Sequence, residues 1–226
     1  MKNSGPLAIN AGKEAYSAKT PQYFAGARRD YVAELPSNRS ASILEVGCGE
    51  GGTGALALAE GKCERYCGVE LCPPVAENAK GRITEVVVGD VERLDLPWKP
   101  ETFDALIMSE VLEHLVDPWA TLQKLHPLLK SNALVFASSP NVSHHKVVRM
   151  LLRGEWNLAD SGVMDRTHLR WFTPTTYRSM FESCGYTVIS ARELEPFSAK
   201  ARFASAITFG RIRHIFATQI DLRARR

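Results

Sequence analysis

The stretch from Ser42 to Gly54, SILEVGCGEGGTG, constrains this chain more than any other. An apolar run ends at Glu45-Val46, enters a glycine-dense turn and passes at once into ALALAEG, which predicts a strand, a tight turn and a helix start. Glycines at 47, 49, 51 and 52 suit a turn that a ligand approaches to van der Waals distance, since a Cβ there would block the approach or strain a positive φ. The turn therefore reads as a nucleotide cradle. Gly47, Gly49 and Gly52 also satisfy the G-x-G-x-x-G spacing of dinucleotide folds, so the glycines alone do not name the nucleotide. Glu45 is more selective: a dinucleotide fingerprint gives a carboxylate at the strand end no role, whereas a cationic ligand would want one.

The chain around this turn alternates in the manner of a parallel sheet. Phe24, Ala27, Tyr31 and Leu35 predict a helix over Tyr23 to Leu35, ended by Pro36. Beyond the turn come a strand at Tyr66 to Glu70, a helix at Pro73 to Lys80 and a strand at Ile83 to Val88. A fourth strand, Phe103 to Met108, precedes a helix opened by Pro118 with Trp119, Leu122, Leu125 and Leu129 on one face. A fifth strand is expected at Ala133 to Ala137, a helix at Thr175 to Cys184, a sixth strand at Tyr186 to Ala191, and a last strand at Ile215 to Ala224 after a basic loop over Ser198 to His214. Residues 1 to 20 read as a loose lead-in to one domain spanning 1 to 226.

Two further acids sit where such a sheet presents its ligand. Glu70 ends the second strand about 20 residues past the glycines, the distance at which an acid accepts hydrogen bonds from both ribose hydroxyls. Asp90 ends the third. With these in place, Glu45-Val46-Gly47-Cys48-Gly49-Glu50-Gly51 resembles the first motif of the class I S-adenosylmethionine (SAM) methyltransferases. The resemblance implies a Rossmann-like α/β fold with a seven-stranded, mostly parallel sheet in the order 3-2-1-4-5-7-6, the last strand antiparallel. It implies SAM as cofactor, with Glu70 on the ribose and Asp90 reaching the adenine amino group. It extends the cofactor-binding set to Cys48, Leu71, Val91, Ser109 and Glu110. Ser109-Glu110-Val111-Leu112-Glu113-His114-Leu115, followed by Asp117-Pro118, resembles the signature of ubiquinone-pathway O-methyltransferases, where E-V-L-E-H recurs. The block from Asp165 to Pro174, DRTHLRWFTP, resembles one found in bacterial methyltransferases associated with cell-surface glycans or small metabolites.

In some ubiquinone-pathway relatives a divalent cation binds at this signature. Glu110, Glu113 and His114 would share one face if the segment were an α-helix, as a metal needs. First-turn acids are favoured by the helix dipole without any ion, however, and the expectation is a structural role with no metal. Residues 139 to 174 are long for a strand-to-helix connection and form the expected lid, concentrating His144, His145, Trp156, Asp165, His168, Arg170 and Trp171. The tryptophans and Phe172 are expected to pack the lid, and Arg166 or Arg170 to pair with Asp165. For methyl transfer to an alcohol the protein must take a proton, and an imidazole suits that task. His145 is the first candidate base, with His144 and His168 behind it, because the first two directly follow the fifth strand.

Composition sets the remaining bounds. The chain has 226 residues, 45% hydrophobic and 23% charged, and no apolar run nears the ~20 residues that span a bilayer. The first ten residues lack the apolar region of a secretory signal, so a cytoplasmic location is the default. Five cysteines make a disulfide framework improbable, and Cys63, Cys67 and Cys72 lack a fourth ligand for zinc. The net charge of +3 hides seven basic residues against Asp221 over 200 to 226, which suits an anionic acceptor, a membrane surface or a solvated tail. The reading that unites these features is SAM-dependent methyl transfer to a hydroxyl of a small-molecule or glycan-linked acceptor, with no nucleic-acid partner. The rival readings are a catalytically inactive SAM-binding scaffold and an NAD-dependent oxidoreductase.

Overall fold

The computed structural model describes residue 19, residues 24–194 and residues 199–226. Its elements in chain order are α1 (Arg29–Glu34), β1 (Ser42–Val46), α2 (Gly52–Ala59), β2 (Arg65–Glu70), α3 (Pro73–Lys80), β3 (Glu85–Val88), β4 (Phe103–Ser109), α4 (Pro118–Leu125), β5 (Leu129–Pro140), α5 (His145–Leu151), α6 (Pro174–Ser183), β6 (Thr187–Glu193), α7 (Ala199–Ile207) and β7 (Gln219–Arg225). Short 3-10 turns lie at Leu112–His114, His126–Leu128 and Arg213–Phe216. The seven strands form one sheet in the order β3-β2-β1-β4-β5-β7-β6. β7 runs antiparallel to both β5 and β6, and the other neighbours are parallel. This is the topology the resemblance implied.

The two-residue period of the central strands divides the core. Ile43, Ala105, Ile107 and Phe136 pack on one face with Tyr31, Val32 and Ala57 of α1 and α2. Leu44, Val46, Leu106, Met108, Val135 and Ala137 pack on the other with Leu122 and Leu125 of α4 and Tyr177 and Phe181 of α6. Burial on both faces explains why these strands read as continuous apolar runs. α6 begins where Thr173 accepts a hydrogen bond from Thr176 N at 3.2 Å, while Thr176 Oγ1 accepts one from Thr173 N at 2.9 Å, a reciprocal cap.

Several expected boundaries move. The first helix is short, because Gly26 to Arg28 are non-helical and the Phe24 carbonyl accepts a hydrogen bond from Glu50 N at 3.1 Å, holding this segment over the glycine turn. Tyr23 and residues 1–18 of the expected lead-in lie outside the described residues. β5 runs twelve residues against the five expected. The basic stretch expected as a loop contains α7 and a 3-10 turn, and β7 starts at Gln219 rather than Ile215. α7 lies within a stretch of small and basic residues, and its apolar Phe203 and Ile207 are exposed rather than packed in the core. Among the described residues, no helix is long and apolar enough to cross a membrane. All five cysteines are buried free thiols.

Candidate active site

The turn after β1 is held from three sides. Its glycines 47, 49 and 51 have φ of 73°, 54° and 76°, the left-handed region that side chains disfavour. A Cβ on Gly49 would lie 2.6 Å from the Phe24 carbonyl oxygen, and one on Gly47 would lie 2.6 Å from Val111 Cγ2. The demand for glycine thus comes from neighbouring chain as well as from any ligand. Glu70, nearly fully buried, pins the turn from below: Oε2 accepts from Gly49 N at 3.0 Å and Oε1 accepts from Cys72 N at 2.9 Å. Burial raises its pKa, while these two backbone donors pull it back.

Glu45 does not face the ligand side. It shares the strand face of Ile43, so its carboxylate points beneath the turn, where it accepts a hydrogen bond from Tyr66 Oη at 2.9 Å. Burial pushes its pKa up to about 8 despite that bond. Enclosed between β1 and α2 and bonded to Tyr66, the carboxyl is not placed as a countercharge for a cationic ligand, which corrects the role expected from the sequence.

Beyond the carboxyl ends of β1 to β4 lies a cavity of about 320 Å³. Its walls are Gly47, Leu71, Asp90, Val91, Glu110, Val111, Leu115 and neighbouring residues, mostly apolar with Asp90, Glu92, Arg93 and Glu110 as the charged groups. A flat heterocycle with polar ends fits such a lining. Asp90 Oδ1 accepts from Glu92 N at 3.0 Å, which fixes the loop after β3. Glu92 in turn accepts from Val116 N at 3.1 Å and Asp117 N at 2.7 Å, tying that loop to the segment after β4 and closing one rim. Cys48, Gly49, Gly51, Glu70 and Ser109 are not among the residues lining this space. Ser109 Oγ instead accepts from Arg28 Nη1 at 2.6 Å, in a cluster with Ser138 and Asp221 that sews the N-terminal segment to β4, β5 and β7. Nothing in the residue pattern singled out Arg28.

A second, more polar cavity of about 330 Å³ adjoins the first and shares Glu110 and His114 with it. Glu110 stands in the dividing wall with φ of 55°, a strained conformation for a side-chain-bearing residue, and Oε1 accepts from Gln219 Nε2 at 2.7 Å. That backbone breaks the helix assumed for residues 110 to 114, and only Leu112–His114 form a 3-10 turn. Glu110 still lines the same cavity as Glu113 and His114, but it is His168 from the lid that brings a donor atom close to theirs. Single donor atoms of Glu113, His114 and His168 lie within 4.8 Å of one another. Glu113 is buried; Oε2 accepts from Ser139 Oγ at 3.2 Å, and Oε1 has no hydrogen-bond partner among the described residues.

The electrostatics of this trio favour neutral forms. Burial, and then Glu110, raise Glu113 well above the usual carboxylate range. Burial, and then His168, lower His114 to about 4, and burial lowers His168 also. The Nδ1 of His114 lies 3.2 Å from the Thr167 carbonyl and that of His168 lies 3.1 Å from the Val163 carbonyl. A carbonyl only accepts, so Nδ1 carries the proton in each ring and Nε2 is the basic nitrogen. The three residues could hold a divalent ion, two imidazoles and a carboxylate being a donor set suited to zinc and similar metals.

The other two candidate bases are elsewhere. His144 precedes α5 and is buried; His145 is exposed, with Nδ1 3.3 Å from the Ile215 carbonyl and its ring 6.4 Å from that of Phe216. Neither lines the two cavities. The cause is the length of β5, which carries the chain to Pro140 at the cavity wall before Asn141 turns it against β7 through Asn141 N and the Thr218 carbonyl at 2.9 Å. Within the lid, Phe172 is buried against Tyr177 and Trp156 meets Trp171 edge-on at 5.3 Å, as expected of packing. The arginines do not pair with Asp165: Arg166 pairs with Asp160 at 2.7 Å and Arg170 donates to the Val116 carbonyl. Asp165 instead accepts from Thr167 and from Lys19.

Residues 18–191 match the family model described as a methyltransferase domain. The chain is similar to the ubiquinone biosynthesis O-methyltransferase of Xylella fastidiosa (strain M23), 31% identical over 149 residues that cover 59% of each chain. It is also similar to the enzyme of that name from Neisseria meningitidis serogroup C (strain 053442), 27% identical over 137 residues covering 58% of this chain and 57% of the other. The chain thus spans under two thirds of the length of these relatives. Among solved structures, it superposes on an S-adenosylmethionine-dependent methyltransferase from Mesorhizobium loti with a TM-score of 0.62 at 16% identity, covering 89% of this chain and 98% of that one. A SAM-dependent methyltransferase from Archaeoglobus fulgidus gives 0.62 at 16% identity, covering 97% and 100%.

Proposed function

The chain belongs to the class I SAM-dependent methyltransferases, and from that premise we propose that it transfers the methyl group to a hydroxyl of a small-molecule or glycan-linked acceptor bound in the polar cavity. The observation that carries this reading is the pair of adjoining cavities of about 320 and 330 Å³ with Glu110 and His114 in both linings. SAM would occupy the first, with Gly47 leaving room at the turn, Asp90 at the adenine end, and Leu71 and Val91 beside the base, while Glu70, buried outside this lining, would act through the Gly49 backbone that it holds in place. When bound, SAM supplies an electrophilic methyl on a sulfonium, already a good leaving group.

What remains for the chain is alignment, exclusion of water and removal of a proton. The lid carries His168 into the acceptor cavity, with Nδ1 committed to the Val163 carbonyl and Nε2 directed to accept the hydroxyl proton. Carboxyl, imidazole and amide groups from Glu113, His114, Asp165 and Gln219 line the same space, a surface that suits neighbouring hydroxyls of a sugar or catechol. The similarity to the Xylella and Neisseria ubiquinone biosynthesis O-methyltransferases supports oxygen as the acceptor atom. His168→Ala should lower single-turnover rates by ~10²- to 10⁴-fold with SAM affinity nearly intact. The direct test is nuclear magnetic resonance of the methylated product from a panel of sugar and catechol acceptors; a methyl found on nitrogen or carbon would refute hydroxyl transfer.

A second reading rests on Glu113 Oε1, a buried oxygen without a hydrogen-bond partner among the described residues and beside two imidazoles. A divalent ion held by Glu113, His114 and His168 would polarise an acceptor hydroxyl and remove the need for a free base. Elemental analysis of the purified protein and assay after chelation decide: full activity in a metal-free preparation eliminates the ion.

A further inference from the structure

Among the described residues, six large apolar side chains are more than half exposed, and five of them lie on α5, α7 and the segments that follow each: Leu151, Leu152, Phe203, Ile207 and Phe209, the last 93% exposed. They are not scattered. Val148, Leu151 and Leu152 fall at i, i+3 and i+4, one stripe along α5, while Lys146, Arg149 and Arg153 form the adjoining exposed stripe. Val147, one turn from Leu151, is buried and anchors the helix. On α7, Phe203 and Ile207 are one turn apart, flanked by exposed Arg202, with exposed Arg211 beyond Phe209.

The two elements meet. His145 at the start of α5 lies with Nδ1 3.3 Å from the Ile215 carbonyl, and Asn141 Nδ2 donates to the His214 carbonyl at 2.7 Å, so the turn after α7 seats against the base of α5. Residues 145–156 and 199–216 together carry seven basic residues and a single acid, Glu155, a charge of +6 on a chain whose total is +3. Both elements flank the acceptor cavity, whose lining includes Pro140, Thr218 and Gln219 from the strand ends that bracket them.

From exposed apolar side chains fringed by cations, we propose that α5, α7 and the turn at Phe209 form a docking surface for an anionic lipid bilayer. An apolar stripe enters the boundary between headgroups and acyl chains, and flanking lysines and arginines meet acidic headgroups. A second copy of this chain is a poorer occupant, because a two-fold interface on this patch would set one cationic surface against another, even with Arg213 paired to Glu193. Docking here holds the acceptor cavity at the membrane surface, where an acceptor carried on a lipid would be presented. That last consequence rests on the acceptor reading above; the surface itself does not.

The test uses the full chain with vesicles of phosphatidylcholine alone and of phosphatidylcholine with 30% phosphatidylglycerol (about one lipid in three, within the anionic range that attracts polybasic segments), read by co-sedimentation. Partition onto the anionic vesicles should be at least ~10-fold stronger and should weaken about fivefold for each of Arg149→Gln and Arg153→Gln. Leu152→Glu combined with Phe209→Glu should abolish it, with unchanged melting temperature and unchanged SAM affinity by calorimetry, since both side chains are exposed. Equal partition onto neutral vesicles, absence of partition, or a double variant that binds like the parent would overturn the proposal. So would a dimer by light scattering that the double variant dissolves while the parent ignores vesicles. Because SAM affinity and turnover on a soluble acceptor are measured on the same samples, failure of docking is distinguishable from failure of the enzymatic reading.

Discussion

Replacing Glu45 by glutamine should remove a defined slice of the protein's pH dependence. Glu45 is buried between β1 and α2, accepts the Tyr66 hydroxyl at 2.9 Å, and has its pKa pushed by burial from the ordinary 4.5 to about 8. A raised folded-state pKa means that the native protein binds the proton more tightly than the unfolded chain. The associated stability is fully present below about pH 4.5 and is lost as pH rises toward 8. Across that window the slope is about 1.4 kcal/mol per pH unit, so between pH 5.5 and 7.5 roughly 2.5 kcal/mol disappears from this group. The substituted amide keeps an acceptor for Tyr66 and carries no titrating proton, so the variant lacks the slope. The histidines of the acceptor cavity have lowered pKa values and act in the opposite sense, but they are common to both proteins and cancel in the difference. Urea unfolding at half-unit steps from pH 5 to 8 gives the stability difference between parent and variant. A difference that stays flat within about 0.5 kcal/mol, well below the ~2.5 kcal/mol linkage value, would show that Glu45 is ionised in the folded protein and would restore it as a candidate countercharge.

Glu70→Gln leaves one of the two backbone donors, Gly49 N or Cys72 N, facing an amide NH₂, and should cost about 1–3 kcal/mol of stability without any ligand; an unchanged urea midpoint would mean that Glu70 does not pin the turn. Glu70→Ala should in addition weaken SAM binding in calorimetry, because the turn it holds through Gly49 N includes Gly47 of the cavity wall. Gly49→Val meets both a φ of 54° and the Phe24 carbonyl, so melting temperature and SAM affinity should fall together, whereas a ligand-only role for the glycine would leave the melting temperature untouched.

The sheet order and the SAM family were legible because they rest on local chemistry repeated along the chain: apolar runs of strand length, prolines opening α3, α4 and α6, and a glycine turn after β1. Asp90, Leu71, Val91 and Glu110 reached the expected cavity because each follows a parallel strand, and parallel strands deliver their carboxyl ends to one edge. His168 reached its cavity through the lid block that the sequence had marked. The orientation of Glu45 was set by the parity of β1 against its neighbours, and parity alone does not reveal which face of the sheet the ligand will use. His144 and His145 lie outside both linings because β5 extends to Pro140, which pairing with β7 some 80 residues later makes possible. In the same way Glu113, His114 and His168 converge because Glu110 takes a left-handed backbone and the lid folds back over it, with Leu169 N bonded to the Glu113 carbonyl at 2.7 Å. Residue type and spacing determined which elements form and at which end of the sheet a ligand binds. Which side chains meet there was decided by contacts between segments distant in sequence, because only those contacts fix where a strand stops and which way its last residues turn.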